Sequence, residues 1–124
     1  MMFAAAKRLN NLTAIVDRNN IQIDGPTEKV MPLDDLAAKW AAFNWHVIEI
    51  DGHNMEAIVN AYEEARAVKS KPTLILANTI MGKGVKEIEG NYKWHGMPPN
   101  SEQAKVALKK LRTLDGKITS GDLE

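Results

Sequence analysis

A run of polar residues, 17–25, directly follows the apolar segment 12–16 and contains the first side chains that could bind a ligand. The apolar segment is typical of a buried strand. The carboxylate and amide groups of Asp17, Asn19 and Asn20 come immediately after it. Open α/β proteins bind their ligands where strands end in this way. Asn-rich segments are also common in simple turns, and the Asp-Gly pair that closes this one favours a turn.

A second candidate is the segment Gly82-Lys83-Gly84, whose composition suits an anion. Glycines let the backbone approach an anion closely, and a lysine ammonium adds positive charge. The segment lacks the spacing and the Ser/Thr of a Walker A motif. His95, beside Trp94, follows in the same connection and could reach the same place. The alternatives are a solvated lysine and a surface histidine whose neighbouring tryptophan packs locally.

Whether these polar segments lie close together in space depends on the strands that precede them. Three apolar runs are read as strands: 12–16, 46–50 and 73–80. Helical periodicity fills the stretches between them, which predicts right-handed βαβ units and therefore an α/β fold with a parallel sheet and flanking helices. The carboxyl ends of parallel strands lie at one edge. The polar loops expected there are 17–20, 51–54 and 79–84.

The helices have recognisable ends. Helices are predicted over 2–9, from 33 to about 43, from 54 to about 68 and from 100 onward, and the connection 26–32 has no assigned path. Asn54 is a suitable N-cap, and Asn100 with Gln103 resembles a capping box. Asp34 and Asp35 are expected in the first turn of the second helix, where the helix dipole favours negative charge.

Length and composition fit one small globular domain. The chain has 124 residues, of which 44% are hydrophobic and 26% charged. Sixteen basic residues balance sixteen acidic ones, so bulk charge indicates neither nucleic acid nor a membrane surface as a partner. Cysteine is absent, which excludes disulfides and thiolate metal sites and fits a cytoplasmic location. No apolar run approaches the ~20 residues of a membrane span.

The two termini of the chain support two further predictions. The amino-terminal residues are interpreted as the last turns of a helix and not as a signal peptide, because their basic residues follow the apolar ones. A chain that opens inside a helix is expected to be a fragment. Residues 1–114 are expected to form a portion of one domain, and residues 115–124 a polar, frayed tail.

Six short motifs occur in a characteristic order. They are Ile-Val-Asp-Arg-Asn-Asn-Ile-Gln-Ile-Asp-Gly at 15–25, Trp-His-Val-Ile at 45–48, Asp-Gly-His at 51–53, Lys-Pro-Thr-Leu at 71–74, Gly-Lys-Gly at 82–84 and Trp-His-Gly at 94–96. This set resembles the C-terminal part of the pyrophosphate-binding domain of transketolases, above all the N-terminal subunit of split transketolases, over residues 1–112. The resemblance implies half of a thiamine diphosphate-binding fold with three α/β/α layers.

By this resemblance the first loop binds a metal ion. Asn19 would offer its side-chain oxygen, and Ile21 its backbone carbonyl, to Mg²⁺ or Ca²⁺. Such cations prefer oxygen ligands and are shared with the diphosphate of the cofactor, thiamine diphosphate, so neutral oxygens are adequate. Ile23 would pack against the cofactor rings, on the same strand face as Ile21 because the two are separated by one residue.

The resemblance also implies that the third loop lies beside the cofactor, near its diphosphate and its reacting centre. His95 would be the catalytic residue, close to the diphosphate and the reacting centre. Gly82 would lie near the diphosphate, with Lys83 as a further cofactor-binding residue. Three other residues are expected to hold loops and cap helices: Asp17, Asp51 and His53.

The implied reaction is the transfer of a two-carbon ketol unit between sugar phosphates, in the pentose phosphate pathway of carbohydrate metabolism. The family's Gly-Asp-Gly aspartate, a metal ligand, and the domain with the catalytic glutamate have no counterpart in this sequence. The ylid chemistry belongs to the cofactor, but it needs a proton relay. We therefore expect the chain to be inactive alone and to work in a homo-oligomer with a second transketolase half, which carries the pyrimidine-binding and C-terminal domains.

Other hypotheses stay open. A truncated, non-catalytic paralogue would act as an interaction module, because uncovered sheet edges and apolar helix faces favour self-association. A 1-deoxyxylulose-5-phosphate synthase-like domain shares the fold and the metal loop. A flavodoxin-like nucleotide binder would give Asn19 no special role.

Overall fold

The computed structural model describes residues 1–112, and a parallel sheet is its centre. The elements in chain order are α1 (Met2–Ala6), β1 (Thr13–Arg18), β2 (Ile21–Gln22), β3 (Gly25–Pro26), α2 (Thr27–Val30), α3 (Leu36–Ala42), β4 (His46–Asp51), α4 (Met55–Ala67), β5 (Thr73–Asn78), a 3-10 helix (Tyr92–Trp94) and α5 (Ser101–Arg112). The expected tail, 115–124, lies outside the described residues. None of the helices within residues 1–112 is long and apolar enough to cross a membrane.

The three long strands are parallel and lie in the order β1-β5-β4. At the amino end of the sheet Thr73 pairs with both Thr13 and His46. At the carboxyl end Asn78 pairs with both Arg18 and Asp51. Each strand has six residues, so the three carboxyl ends stop at one level. The predicted α/β fold with a parallel sheet is confirmed.

The core lies on both faces of the central strand β5. Leu74 and Leu76, 0% and 3% exposed, pack against Trp45 and Ala4 on the face that α1 and α3 cover. Ile75 points the other way, because side chains alternate along a strand, and packs under α4 against buried alanines of that helix. The sheet is therefore covered by helices on both sides, as expected for a strand with a continuous apolar sequence.

The edge strand β1 is covered on one face only. Val16 packs against the cluster beneath α1 and α3, whereas Ile15, on the opposite face, is 53% exposed. Helix α4 contacts β4 and β5 and leaves its own Val59 and Met55 exposed. Apolar side chains of β1 and α4 thus remain open to solvent.

Several predicted boundaries are wrong. β1 continues to Arg18 because its last two residues still pair with β5, so Asp17 belongs to the strand and not to the loop. β5 ends at Asn78, before the predicted end of the apolar run. Asp35 is the N-cap of α3, where its Oδ1 accepts the Ala38 N–H at 2.8 Å. Both aspartates therefore precede the helix instead of lying in its first turn.

Local capping signals were predicted correctly. Asn54 Oδ1 accepts the Ala57 N–H at 3.1 Å at the start of α4. Asn100 and Gln103 exchange two backbone-to-side-chain hydrogen bonds, both of 2.9 Å, as a capping box requires. The unassigned connection after residue 25 contains the end of a short hairpin, β2–β3, and the helix α2.

Candidate functional site

The loops after β1 and β5 are joined at the carboxyl edge of the sheet. The hydroxyl of Thr79 donates to Asp17 Oδ1, and the Thr79 N–H donates to the Arg18 carbonyl at 3.2 Å. Asp17 holds a loop, as the sequence predicted, and it does so from within the strand. The sequence placed Thr79 in the third loop, but nothing local indicated its bond to Asp17, which is 62 positions away.

The loop after β4 is joined to the same place. His53 Nε2 accepts the Ile80 N–H at 2.7 Å, and the Gly52 N–H donates to the Asn78 carbonyl at 2.8 Å. A Cβ at Gly52 would lie 2.5 Å from the Thr79 methyl group, so the two loops approach too closely for any side chain there. His53 thus links loops, whereas the cap of α4 is Asn54. The three predicted loops do meet at one edge.

The first loop is folded around the side chain of Asn19. Its Oδ1 accepts the Ile21 N–H at 2.9 Å, which forms an Asx turn. Asn20, between them, has a φ of +62°, a conformation that asparagine tolerates better than most residues. An amide oxygen has two lone pairs, so the bond to Ile21 leaves one for a further donor or a cation.

The hairpin that follows directs the Ile21 carbonyl away from its partner strand. Ile21 pairs with Pro26 in the ladder, and proline has no N–H to donate. The neighbouring pair is the hydrogen-bonded one, because the Thr27 N–H donates to the Asn20 carbonyl at 2.9 Å. Hydrogen-bonded and non-bonded pairs alternate in antiparallel ladders. The Ile21 carbonyl and Asn19 Oδ1 therefore lie on the same, outer side of the hairpin.

These two neutral oxygens suit a hard divalent cation that also has anionic ligands. Within residues 1–112 no group of three or more His, Cys, Asp or Glu side chains is arranged to hold a metal. Ile23 does not continue the strand with Ile21, contrary to the sequence prediction. It lies in the turn of the hairpin and is 55% exposed, so its side chain is accessible to solvent.

A cavity of about 380 Å³ lies beside this loop. It is bounded by residues 16–22 and by Thr27, Met31 and Leu33. Gln22 Oε1 is buried there and has no hydrogen-bond partner among the described residues.

An ion pair closes the base of the loop. Arg18 donates to Glu28 Oε1 at 2.8 Å. The backbone N–H groups of Leu33 and Asp34 donate to the same carboxylate, at 3.2 and 3.3 Å. The Leu33 N–H, with help from Asp34 and Arg18, holds the pKa of Glu28 below its ordinary value. No local pattern indicated a role for Glu28, which anchors helix α2 beside the first loop.

The glycine segment of the third loop binds a carboxylate of its own chain. Gly84 donates its N–H to Glu89 Oε1 at 2.9 Å, and Lys83 Nζ lies 4.0 Å from the same oxygen. Gly82 has a φ of +71°, and a Cβ there would lie 2.5 Å from the Ile88 Cγ2 atom. Local packing thus accounts for Gly82, and Glu89 already balances part of the Lys83 charge.

His95 follows the 3-10 helix and is exposed. That helix lies close to β3, the second strand of the hairpin. Trp94 Nε1 donates to the Glu87 carbonyl at 3.2 Å, which anchors the segment locally. The chain therefore returns after β5 to the neighbourhood of the first loop, and His95 emerges on that side of the molecule.

A family model covers almost the whole chain. Residues 1–116 match the family described as "Transketolase, thiamine diphosphate binding domain". One similar protein is the 6-deoxy-6-sulfo-D-fructose transketolase subunit SqwG of a Clostridium species, 47% identical over 89% of this chain and 40% of its own length. Another is an apulose-4-phosphate transketolase subunit of Phocaeicola vulgatus, 41% identical over 84% of this chain and 37% of its own. The chain thus spans about two fifths of these relatives.

Solved structures agree with the sequence relatives. Campylobacter jejuni transketolase superposes with a TM-score of 0.79 at 30% identity, covering 95% of this chain and 18% of that one. Pichia stipitis transketolase, in complex with sedoheptulose 7-phosphate, gives 0.80 at 33% identity, covering 95% and 17%. The chain therefore belongs to the transketolase family and carries residues of its thiamine diphosphate binding domain.

Proposed function

We propose that this chain is part of a transketolase that transfers a two-carbon ketol unit between sugar phosphates, with thiamine diphosphate and a divalent cation, Mg²⁺ or Ca²⁺. Beyond family membership, one observation supports the proposal most. The Asx turn at Asn19 and the hairpin register bring a side-chain oxygen and the Ile21 carbonyl to one side of a loop at the carboxyl edge of the sheet. That is the arrangement a shared metal–diphosphate site needs.

Three residues of the first loop and its hairpin have roles in this proposal. Asn19 Oδ1 and the Ile21 carbonyl bind the cation and so fix the diphosphate. Ile23, exposed at the hairpin turn, packs against the cofactor rings and keeps water from them. Thiamine diphosphate, when bound, supplies the carbanion chemistry of the reaction.

Residues of the third loop serve the other end of the site. His95 emerges beside the hairpin, and its imidazole is the group we assign to proton transfer and to hydrogen bonding near the diphosphate. Gly82 would lie near the diphosphate, in a turn where packing against Ile88 already requires glycine. Lys83 contributes less charge than its type suggests, because the Glu89 carboxylate lies near its ammonium.

The working assembly is proposed to be larger than this chain. Two of its relatives are named as subunits of transketolases. A second transketolase half would supply the pyrimidine-binding and C-terminal domains, and the whole would act as a cytoplasmic homo-oligomer on sugar phosphates of the pentose phosphate pathway. The chain alone is expected to bind thiamine diphosphate weakly or not at all. Calorimetry of the isolated chain with Mg²⁺ that gave micromolar affinity would contradict this expectation.

The metal role is tested in the assembly that contains the rest of the transketolase. Asn19→Ala should weaken Mg²⁺-dependent binding of thiamine diphosphate by on the order of tenfold or more, because it removes one of two neutral protein ligands and the Asx turn that orients the other. The matched control is Asn60→Ala, at an exposed position of α4. Titration calorimetry at several Mg²⁺ concentrations measures both. Equal affinities for the two variants would contradict the proposed metal role of Asn19.

A further inference from the structure

We propose that His53 is a positioning residue that fixes the turn Ile80–Lys83 at the cofactor edge by accepting a hydrogen bond on its unprotonated Nε2 atom. The proposal rests on the proposed function, because it gives His53 its purpose through Gly82, which lies in that turn. His53 itself touches neither cofactor nor substrate in this account.

The backbone of His53 is attached to the end of the sheet. Asp51, the last residue of β4, accepts the backbone N–H of His53 on its Oδ1 at 2.9 Å. Asp51 in turn pairs with Asn78 at the end of β5. The ring then reaches across to the next loop, where Nε2 accepts the Ile80 N–H at 2.7 Å. A short bond between groups 27 positions apart connects two loops that the backbone ladder no longer joins.

Ile80 is the residue whose position decides the path of the turn. Its carbonyl accepts the Lys83 N–H at 3.2 Å, so it is the first residue of a β-turn. Gly82, at the third position, has the positive φ of +71° that a type II turn requires there. When both polar groups of Ile80 are bonded, the orientation of Met81 and Gly82 is set.

The two bonds at the start of this loop come from opposite sides. Thr79 is held from the β1 side by Asp17, and Ile80 is held from the β4 side by His53. Each bond fixes a position that the other cannot reach. Removal of the imidazole frees Ile80, while Thr79 stays fixed by Asp17 and by its close packing on Gly52. The expected effect is therefore a shift of the turn and not unfolding.

The contact also determines the chemical form of the ring. A hydrogen on Nε2 would point directly at the Ile80 hydrogen, so the neutral imidazole must carry its proton on Nδ1. This tautomer is a spectroscopic signature of the positioning role. A histidine that only fills space on the surface has no reason to adopt it.

The first experiment needs no cofactor. Nitrogen NMR of the full chain at neutral pH should show an unprotonated Nε2 on His53, and hydrogen exchange should show a protected Ile80 amide. His53→Ala should speed that exchange roughly fivefold, because the N–H loses its acceptor, and His53→Gln, which retains an acceptor on a side chain of similar length, should restore protection. His46→Gln is the control, since this histidine lies at the other end of β4 and bonds to Glu64 at 2.8 Å.

The second experiment uses the assembly that contains the rest of the transketolase. His53→Ala should weaken binding of thiamine diphosphate by about tenfold, His53→Gln should bind nearly as the wild type, and His46→Gln should leave affinity unchanged. A proton on Nε2, an Ile80 amide that exchanges equally fast with and without the imidazole, or wild-type affinity in His53→Ala would each overturn the proposal. If Asn19→Ala has no effect on binding, the proposed function fails, and the NMR signature still decides whether His53 holds the turn.

Discussion

Substitution of Gly82 by alanine should destabilise the chain much more than the same substitution at Gly90. Both glycines have left-handed backbone angles, +71° and +64°. For alanine this conformation costs about 1–2 kcal/mol in the folded state. Alanine also makes the unfolded chain less flexible than glycine does, which stabilises the folded state by about 0.4–1 kcal/mol and offsets part of that cost. The two positions differ in their surroundings, because a Cβ at Gly82 would lie 2.5 Å from the Ile88 Cγ2 atom, whereas nothing lies within 4 Å at Gly90.

The overlap with Ile88 has a cost of its own. Forcing a methyl group into a packed position costs typically about 1–3 kcal/mol, so we expect Gly82→Ala to lose about 3 kcal/mol of unfolding free energy and Gly90→Ala about 1 kcal/mol. Urea unfolding of the full chain, followed by circular dichroism, measures both values. Equal losses would show that the close packing of Ile88 on Gly82 is absent in solution.

A double-mutant cycle isolates the contact. Ile88→Ala removes the Cγ2 atom that alanine at position 82 would meet, so Gly82→Ala should cost less in that background than in the wild type. We expect a coupling free energy of about 1 kcal/mol or more, as for residues in direct contact. Additive losses within about 0.3 kcal/mol would refute the reasoning, since distant sites behave in that way.

Two further predictions concern the core and the first loop. Leu74→Ala should lower the free energy of unfolding in urea by about 3–5 kcal/mol, because Leu74 is 0% exposed in the central strand. The control Ile15→Ala, at a 53% exposed position of β1, should lower it far less. Similar losses for the two variants would mean that Ile15 is covered in solution. Glu28→Gln should lower the free energy of unfolding at neutral pH. The difference in this free energy between the variant and the wild type should shrink as the pH falls below 4.5, the ordinary pKa of a glutamate, because the folded chain holds the pKa of Glu28 below that value. The stabilisation is present above the unfolded pKa and is lost as the carboxyl takes up a proton in the folded state; a difference that is constant from pH 7 to pH 3 would contradict the role of Glu28.

The features that the sequence predicted well depend on neighbouring residues. Strand and helix order follow from hydrophobic periodicity, and the caps at Asn54 and Asn100 use side chains one turn from their partners. The turn at residues 23–24 follows from the pair Asp24-Gly25, whose aspartate lies in the turn. Each of these features depends only on residues a few positions apart, so contacts with distant parts of the chain do not alter it.

What the sequence could not predict depends on distant partners. β1 extends to Arg18 only because Asn78 lies beside it. Glu89 occupies the glycine segment that composition alone assigned to an external anion. The bond between His53 and Ile80 joins two loops through space. The local sequence pattern thus located the carboxyl edge of the sheet as the candidate site. Contacts between distant residues decide which polar groups at this edge already have hydrogen-bond partners within the chain.

The common register of the three strands has a consequence for how this chain can change over evolutionary time. Deleting Thr73, the first residue of β5, would move the chain beyond it by about 3.3 Å and exchange the faces of Leu74 and Ile75. Thr79 and Ile80 would lose their partners in the flanking loops. Gains and losses of residues are therefore expected in connections such as 98–99, between the 3-10 helix and α5, while the strands diverge by substitution at constant length.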